Sequence, residues 1–175
     1  MKDYPSVTTV LGKYQDFSSV PEDRLALAID RGKAVHAYCA AYALGLWAPE
    51  PKEHAGYCLS FRRWFDMMVV EVHSVEQQFI DEVLGFTGTP DFTGILKGDT
   101  DTAVVDWKTP VTLNPVWDAQ TAAYQHLTKA KRRGSLRLDP DGKEAKFKAY
   151  SNDNQAFQAF LNALVAHKYF INQRG

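Results

Sequence analysis

The sequence contains two cysteines, Cys39 and Cys58, and neither belongs to a Cys-x-x-Cys pair or to a cluster with histidine. This excludes the usual structural zinc sites and an iron–sulfur cluster held by four cysteines. The chain also lacks an apolar run of the roughly 18 residues that a membrane span needs, and residues 1–5 do not resemble a signal peptide. We therefore expect a soluble, cytoplasmic protein with free thiols and no membrane partner.

An excess of charge of one sign is also missing. The 20 Lys and Arg against 21 Asp and Glu give a formal net charge of −1. The 175 residues are 45% hydrophobic and 23% charged, which is typical of a folded protein and excludes a disordered tail. At roughly 150 residues per domain, this length predicts one domain over residues 1–175. Because the whole molecule does not attract a polyanion, any surface that binds nucleic acid must be local.

Hydrophobic periodicity predicts an α/β (α+β) protein with a central mixed β-sheet flanked by helices. A helix is expected over residues 19–47, opened by a capping box of Ser19 and Glu22. The elements expected after it are a helix at 56–70, strands at 72–80, 83–87, 91–96 and 103–107, a helix at 115–132, strands near Leu136 and at 147–150, and a final amphipathic helix.

Acidic residues are concentrated between residues 71 and 106, where eight Asp and Glu stand against Lys97 alone. Asp99 and Asp101 fit a solvated hairpin turn. Asp91 and Asp106 lie instead among apolar strand residues, where an unpaired carboxylate carries a desolvation cost. A divalent metal ion is the obvious compensating charge.

Asp106 and Lys108 are two residues apart on a predicted strand, so their side chains share one face. Alone, such a pair is far more often a surface ion pair, and residues 88–91 are most simply a turn. Two strands joined by a hairpin, however, can place Asp91 beside Asp106. Two carboxylates suit a hard cation such as Mg²⁺, which also binds substrate phosphate, and Lys108 can then orient or deprotonate the attacking water.

His36 on the first predicted helix adds an imidazole to this set, and Gly32 one turn earlier is expected to let the helix approach closely. By itself, His36 is more often an ordinary histidine of a packed or exposed helix face.

A basic segment follows the third predicted helix. Its members, with no acid among them, are Lys129, Lys131, Arg132, Arg133 and Arg137. Taken alone, this is more often a solvated helix end, where cations favour the helix dipole. Beside a metal site it predicts phosphate binding, and the candidate nucleic-acid contacts are Lys129, Lys131, Arg132 and Arg133.

Four short motifs stand in a fixed order along the chain. They are Gly32-Lys33-Ala34-Val35-His36, Gly88-Thr89-Pro90-Asp91, Asp106-Trp107-Lys108-Thr109 and Gln120-Thr121-Ala122-Ala123-Tyr124. In this order they resemble the motifs of the RecB-type branch of the PD-(D/E)XK nucleases, and residues 5–11 are similar to the opening of phage-borne members. The resemblance runs through most of the chain, and four ordered motifs are far more specific than any one.

The resemblance implies a restriction-endonuclease-like core with a Mg²⁺- or Mn²⁺-dependent site that cleaves DNA. Under it, Asp91 and Asp106 are metal ligands together with the backbone carbonyl of Trp107. His36 is a further ligand or a phosphate contact, and Lys108 serves the attacking water.

Two further assignments follow from the resemblance. Gln120 and Tyr124, four residues apart on one helix, help to position the DNA strand and the active-site residues. Glu76 stands where relatives often carry an acid on the preceding strand, and we expect it to support the site rather than to bind the metal.

The resemblance also implies a role in DNA end-processing or recombination, with an exonuclease expected rather than an endonuclease and a phage or prophage origin. It leaves open a second copy of the chain or a recombination protein as a further partner. Relatives fused to helicase motors, or holding an iron–sulfur cluster through four cysteines, differ from this chain in length and cysteine content.

Two alternatives stay open. One is a catalytically idle DNA-binding or assembly protein that keeps the fold, which the retention of Asp91, Asp106 and Lys108 disfavours. The other is a phosphodiesterase that acts on RNA.

Overall fold

The computed structural model describes residues 4–110 and 112–172, without the side chains of residues 171 and 172. The elements in these ranges are α1 (Val7–Leu11), α2 (Glu22–Ala43), α3 (Ala55–Met68), β1 (Val69–Val75), β2 (Phe79–Asp81), β3 (Phe86–Gly88), β4 (Phe92–Leu96), β5 (Thr102–Lys108), α4 (Val116–Thr128), β6 (Arg132–Arg137), β7 (Lys146–Ala149) and α5 (Asp153–Asn172). None of the helices in these ranges has the length and apolar character needed to cross a membrane.

Five strands form one mixed sheet in the order β1-β4-β5-β6-β7. β5 pairs with β6 in parallel, and the other neighbouring pairs are antiparallel. α4 provides the crossover that a parallel pair requires. β2 and β3 form a separate two-stranded ladder. The predicted fold class, a central mixed sheet flanked by helices, is confirmed.

β5 runs through the middle of the sheet, and its side chains alternate between two cores. Val105 and Trp107 belong to the core beneath α2 and α3, whereas Val104 belongs to the core formed with α1, α4 and α5. The same alternation brings Asp106 and Lys108 to the α4 face of the sheet. The predicted face-sharing of these two residues is therefore confirmed.

The opening segment forms α1. Ser6 begins it, since its hydroxyl accepts the Thr9 backbone N–H at 3.0 Å. Val7, Val10 and Leu11 are buried in the core that includes α4 and α5. This segment therefore supports the far side of α4, the helix that faces the candidate site.

α2 is shorter than the predicted helix over residues 19–47. It begins after Pro21, and no side chain caps its first turn, so the predicted capping box of Ser19 and Glu22 is wrong. At the other end the chain leaves the helix through Gly45, whose φ of +67° favours glycine.

The predicted strand over 72–80 is in fact two strands, β1 and β2, separated by a turn at Glu76.

α4 ends at Thr128, and not at residue 132 as predicted. Lys129 adopts a left-handed conformation with φ 59°. The Lys131 N–H then donates to the Thr102 carbonyl at 2.9 Å, which starts the pairing of β6 with β5. Arg132 and Arg133 therefore lie on a strand, where successive side chains point to opposite faces.

Candidate active site

The pairing of β4 with β5 brings two acidic side chains together at one edge of the sheet. Asp91 directly precedes β4, whose first residue Phe92 lies opposite Val105 in the antiparallel register. Asp106 follows Val105 on β5, and both aspartates are buried. The sequence therefore correctly predicts this meeting of the two carboxylates.

Asp91 is held from two sides. Its Oδ2 accepts the Trp107 backbone N–H at 2.6 Å, and its Oδ1 lies 3.2 Å from Nδ1 of His36 on α2. In an extended strand the N–H and C=O of one residue point to the same neighbour, so the Trp107 carbonyl faces the Asp91 edge as well. The structure thus groups Asp91, His36 and the Trp107 backbone.

Asp106 belongs to a second group, on the α4 face. Its Oδ2 lies 2.5 Å from Nζ of Lys108. Gln120 on α4 connects the group, because its Oε1 accepts from Lys108 Nζ at 3.0 Å and its Nε2 donates to Asp106 Oδ1 at 3.2 Å. The same Nε2 lies 3.2 Å from the Tyr124 hydroxyl, and Lys108 Nζ lies 5.4 Å from the centre of the Trp117 ring.

Gln120 and Tyr124 face the site together, as their spacing of four residues predicts.

Two glycines of the sequence motifs differ in how closely other residues approach them. A Cβ on Gly88 would lie 2.7 Å from Cδ1 of Leu127 and 3.0 Å from the Tyr124 ring, so this glycine makes room for both side chains. Gly32 has open space around it, and the predicted close helix approach at that position is wrong.

Glu76 enters the site more directly than the sequence indicates. One ligand atom from each of His36, Glu76 and Asp91 lies within 4.8 Å of the others. Glu76 has a φ of +50°, which is uncommon for a residue with a side chain, and its N–H donates to the Asp91 carbonyl at 3.1 Å. The turn after β1 therefore aims an acid at the Asp91 carboxylate, and a strand pattern alone does not reveal such a turn.

Burial and neighbouring charges together shift the pKa values of the cluster. Burial raises the pKa of Asp106 to about 6, although the Lys108 ammonium opposes this shift. Burial also disfavours a charged His36, but the Asp91 carboxylate outweighs it and raises the His36 pKa to about 9. Burial, reinforced by the Asp91 charge, raises the pKa of Glu76. Asp91 is different: burial disfavours its charge, yet His36 and Lys108 lower its pKa.

The donor set fits a hard divalent cation. Carboxylate and carbonyl oxygens, with one imidazole, are suitable ligands for Mg²⁺ or Mn²⁺. Oδ2 of Asp106 is buried beside the Lys108 ammonium, 2.5 Å away. Burial still raises the pKa of Asp106, so this one cation does not offset the whole cost of burying the carboxylate, and a metal ion would offset more of it.

The predicted nucleic-acid contacts do not lie beside this cluster. Arg132 pairs in register with Ala103, at the start of β5, whereas Arg137 pairs with Lys108 at its end. Lys129 and Lys131 are exposed, and Arg132 forms an ion pair with Asp99. The basic segment therefore extends from the end of α4 along β6, with only its last member level with Lys108.

Arg133 requires a correction, because its side chain is completely buried and cannot reach a phosphate. Its guanidinium lies 2.6 Å from Asp118 and 2.7 Å from Asp153, and it also donates to Thr121 and Asn152. Its position on β6 directs the side chain toward α4, which carries Asp118 and Thr121. Arg133 joins α4, β6 and the start of α5, which is a structural role.

No protein-family model and no curated protein matches this chain. Among solved structures it is similar to an alkaline exonuclease, LHK-Exo from Laribacter hongkongensis, at 14% identity and a TM-score of 0.44, covering 98% of this chain and 92% of that one. The structure of LHK-Exo in complex with dAMP gives 15% identity and the same TM-score and coverage.

A crystal structure of SSO0001 is also similar, at 14% identity and a TM-score of 0.35. It covers 53% of this chain, and this chain spans about half, 50%, of that one. Identities this low and TM-scores below 0.5 do not assign the chain to a family or an activity. Its proposed chemistry therefore rests on its own residues.

The buried position of Arg133 predicts a large effect on stability. Arg133→Ala should lower the free energy of unfolding by about 3 kcal/mol, because it leaves Asp118 and Asp153 without their shared cation. Its neighbour gives a matched control: Arg132→Ala removes an arginine that is 56% exposed and should cost about 0–1 kcal/mol. Urea denaturation followed by circular dichroism measures both, and equal midpoints for the two variants would contradict the structural role.

The position of Glu76 predicts a contribution to metal affinity. Glu76→Gln should weaken Mn²⁺ binding by about tenfold or more, the range seen when a metal site loses a supporting carboxylate. Glu71→Gln changes an acid on β1, the strand that precedes the Glu76 turn; Glu71 is directed toward His73, so the affinity should stay unchanged. Calorimetric titration with Mn²⁺ compares the variants, and a wild-type affinity for Glu76→Gln would remove Glu76 from the site.

Proposed function

We propose that this protein is a metal-dependent nuclease that hydrolyses phosphodiester bonds in DNA. The observation that carries the proposal is the convergence of Asp91 and Asp106, both buried, with the ammonium of Lys108 held 2.5 Å from Asp106 by Gln120. A surface ion pair needs neither the burial nor the amide that orients both partners. The four ordered motifs of the sequence support the same chemistry.

A Mg²⁺ or Mn²⁺ ion would be held by Asp91, Asp106, the Trp107 carbonyl and His36. Of these, Asp91 and His36 share with Glu76 a group of ligand atoms within 4.8 Å of one another, and Asp106 and Trp107 are included for their positions on β5 beside Asp91. When bound, such an ion neutralises charge on the scissile phosphate and makes a nearby water more acidic. Metal binding and the Lys108 ion pair compete for Asp106, so Lys108 would be released toward the substrate.

Lys108 is the proton-handling group of the proposal. Its ammonium can orient the attacking water by donating a hydrogen bond to the water oxygen. If the ammonium first loses its own proton to solvent, the neutral amine can instead accept a proton from the water while the water oxygen bonds to phosphorus. The bond from phosphorus to the leaving sugar oxygen then breaks, and that oxygen takes up a proton from solvent or from the protonated Lys108. Gln120 fixes the ammonium by hydrogen bonding, and the Trp117 ring below it favours a cation at that place.

The finer parts of the proposal rest on the resemblance of the motifs. They are an exonuclease rather than an endonuclease, DNA as the partner, and a role in end-processing or recombination in a protein of phage or prophage origin. A protein that binds DNA without cleaving it, and a nuclease specific for RNA, are the competing outcomes.

Metal dependence and substrate class can be measured together. Purified protein is incubated with labelled single-stranded DNA, duplex DNA and RNA in Mg²⁺, Mn²⁺ or EDTA. We expect DNA to be shortened with either metal and not in EDTA, because two carboxylates need a hard cation to bind phosphate. Circular DNA is the control for end dependence and should resist an exonuclease.

The other outcomes are equally definite. Undiminished cleavage in EDTA would contradict the mechanism. Cleavage of RNA but not of DNA would show that the substrate is RNA. Binding of DNA without cleavage in either metal would favour the catalytically idle DNA-binding protein.

Substitution of Asp106 and of Lys108 should have different consequences. Asp106→Ala removes an oxygen ligand and should abolish both Mn²⁺ affinity and cleavage. Lys108→Ala removes a competing ammonium, so Mn²⁺ affinity should be kept or increased while turnover falls by a factor on the order of 10² to 10⁴. Single-turnover cleavage beside calorimetric Mn²⁺ titration separates the two. If Lys108→Ala cleaves at nearly the wild-type rate, Lys108 is only an ion-pair partner.

A further inference from the structure

A cavity lies at the edge of the sheet opposite the catalytic cluster, where β5 and β6 begin and β4 ends. Its volume is about 570 Å³, within the range typical of small-molecule sites. The catalytic residues lie instead at the end of β5 and before the start of β4. Ala103, on the cavity wall, is three residues from Asp106, which corresponds to about 10 Å along the strand. The cavity is therefore separate from the cluster.

An aromatic pair forms one wall of the cavity. Phe147 of β7 stacks on Trp64 of α3, with ring centres 6.1 Å apart and planes inclined by 27°. Gly134 lies under Phe147, and a Cβ there would come within 2.4 Å of its ring. The Phe147 side chain is not covered completely, since 38% of the residue is exposed. Part of a fixed aromatic ring is therefore open to the cavity.

Positive charge surrounds this wall. Four cations line the cavity, and two of them are neutralised: Arg132 by Asp99 and Arg133 by Asp118 and Asp153. The other two are Lys97 and Lys131, both exposed. Among residues 4–110 and 112–172, no carboxylate lies within ion-pair distance of either ammonium. The lining thus combines two uncompensated cations with an accessible aromatic ring.

We propose that this cavity binds a nucleotide, with the phosphate held by Lys97 and Lys131 and the base placed against Phe147. Ammonium groups and aromatic rings are the two kinds of contact that proteins make with nucleotides without reading their sequence. Other anions that carry a planar ring would make the same contacts. We choose a nucleotide among them because of the proposed nuclease function. The binding itself requires neither a metal ion nor cleavage. The nucleotide is either free or part of a DNA strand whose other end is at the catalytic cluster.

The test is calorimetric titration of the full chain in EDTA, where the proposed hydrolysis does not occur. The probes are dAMP, deoxyadenosine and inorganic phosphate. We expect dAMP to bind at least tenfold more tightly than either fragment, because only dAMP uses both parts of the cavity. Lys97→Gln/Lys131→Gln should weaken dAMP binding at least tenfold, and Phe147→Leu should weaken it severalfold.

Two control proteins accompany these variants. Lys13→Gln/Lys52→Gln makes the same change in net charge at two exposed lysines outside the cavity and should bind dAMP as the wild type does. Asp106→Asn alters the catalytic cluster and should also bind dAMP normally. Circular dichroism of each variant shows that it is folded.

Several results would overturn the proposal. They are the absence of dAMP binding up to millimolar concentration, equal binding of phosphate and dAMP with no effect of Phe147→Leu, and loss of binding in Asp106→Asn but not in Lys97→Gln/Lys131→Gln. The last result would place the nucleotide at the catalytic cluster. None of them bears on cleavage, so the nuclease proposal fails or survives separately.

A short single-stranded oligonucleotide distinguishes the two sources of the nucleotide. If it displaces dAMP from the wild type and binds less tightly to Lys97→Gln/Lys131→Gln, the cavity takes a nucleotide of a strand. If it does not displace dAMP, the cavity takes a free nucleotide. Either result supports a nucleotide site.

Discussion

Burying two carboxylates side by side is unfavourable unless opposite charge and hydrogen-bond donors accompany them, and the placement of three elements around Asp91 and Asp106 meets this requirement. α2 supplies His36 to Asp91, β5 supplies the Trp107 N–H and the Lys108 ammonium, and α4 supplies Gln120. The compensation is incomplete, because burial raises the pKa of Asp106 even with the Lys108 ammonium beside it. We infer that a further cation would offset the rest of this cost.

The two ends of β5 differ in the sign of the charges around them. At its end, acids predominate around Asp106. At its start, Lys97 of the β4–β5 turn and Lys131, directly before β6, lie beside an aromatic wall. The net charge of −1 conceals this separation, which depends on the parallel pairing of β5 with β6. A strand of nucleic acid that contacted both ends would meet carboxylates suited to a metal ion at one and ammonium groups suited to phosphate at the other.

Local patterns in the sequence predict much of the site. The strand period places Asp106 and Lys108 on one face, and the spacing of four residues places Gln120 beside Tyr124, because both relations depend only on neighbours along the chain. Arg133 and Glu76 could not be predicted in this way. A run of cations is usually solvated, and the burial of Arg133 depends on Asp118 and Asp153, which belong to two other elements. The direction of Glu76 depends on a left-handed turn at a residue that is not glycine.

We propose that Asp91 and Asp106 share a divalent metal ion, whose binding releases Lys108 from its ion pair. The most direct measurement is anomalous diffraction from crystals of the protein grown with Mn²⁺. We expect an anomalous peak within bonding distance of oxygens of both aspartates, with Nζ of Lys108 moved away from Asp106. A structure with full Mn²⁺ occupancy elsewhere, or with the ion pair between Lys108 and Asp106 intact and no peak beside it, would contradict the proposal.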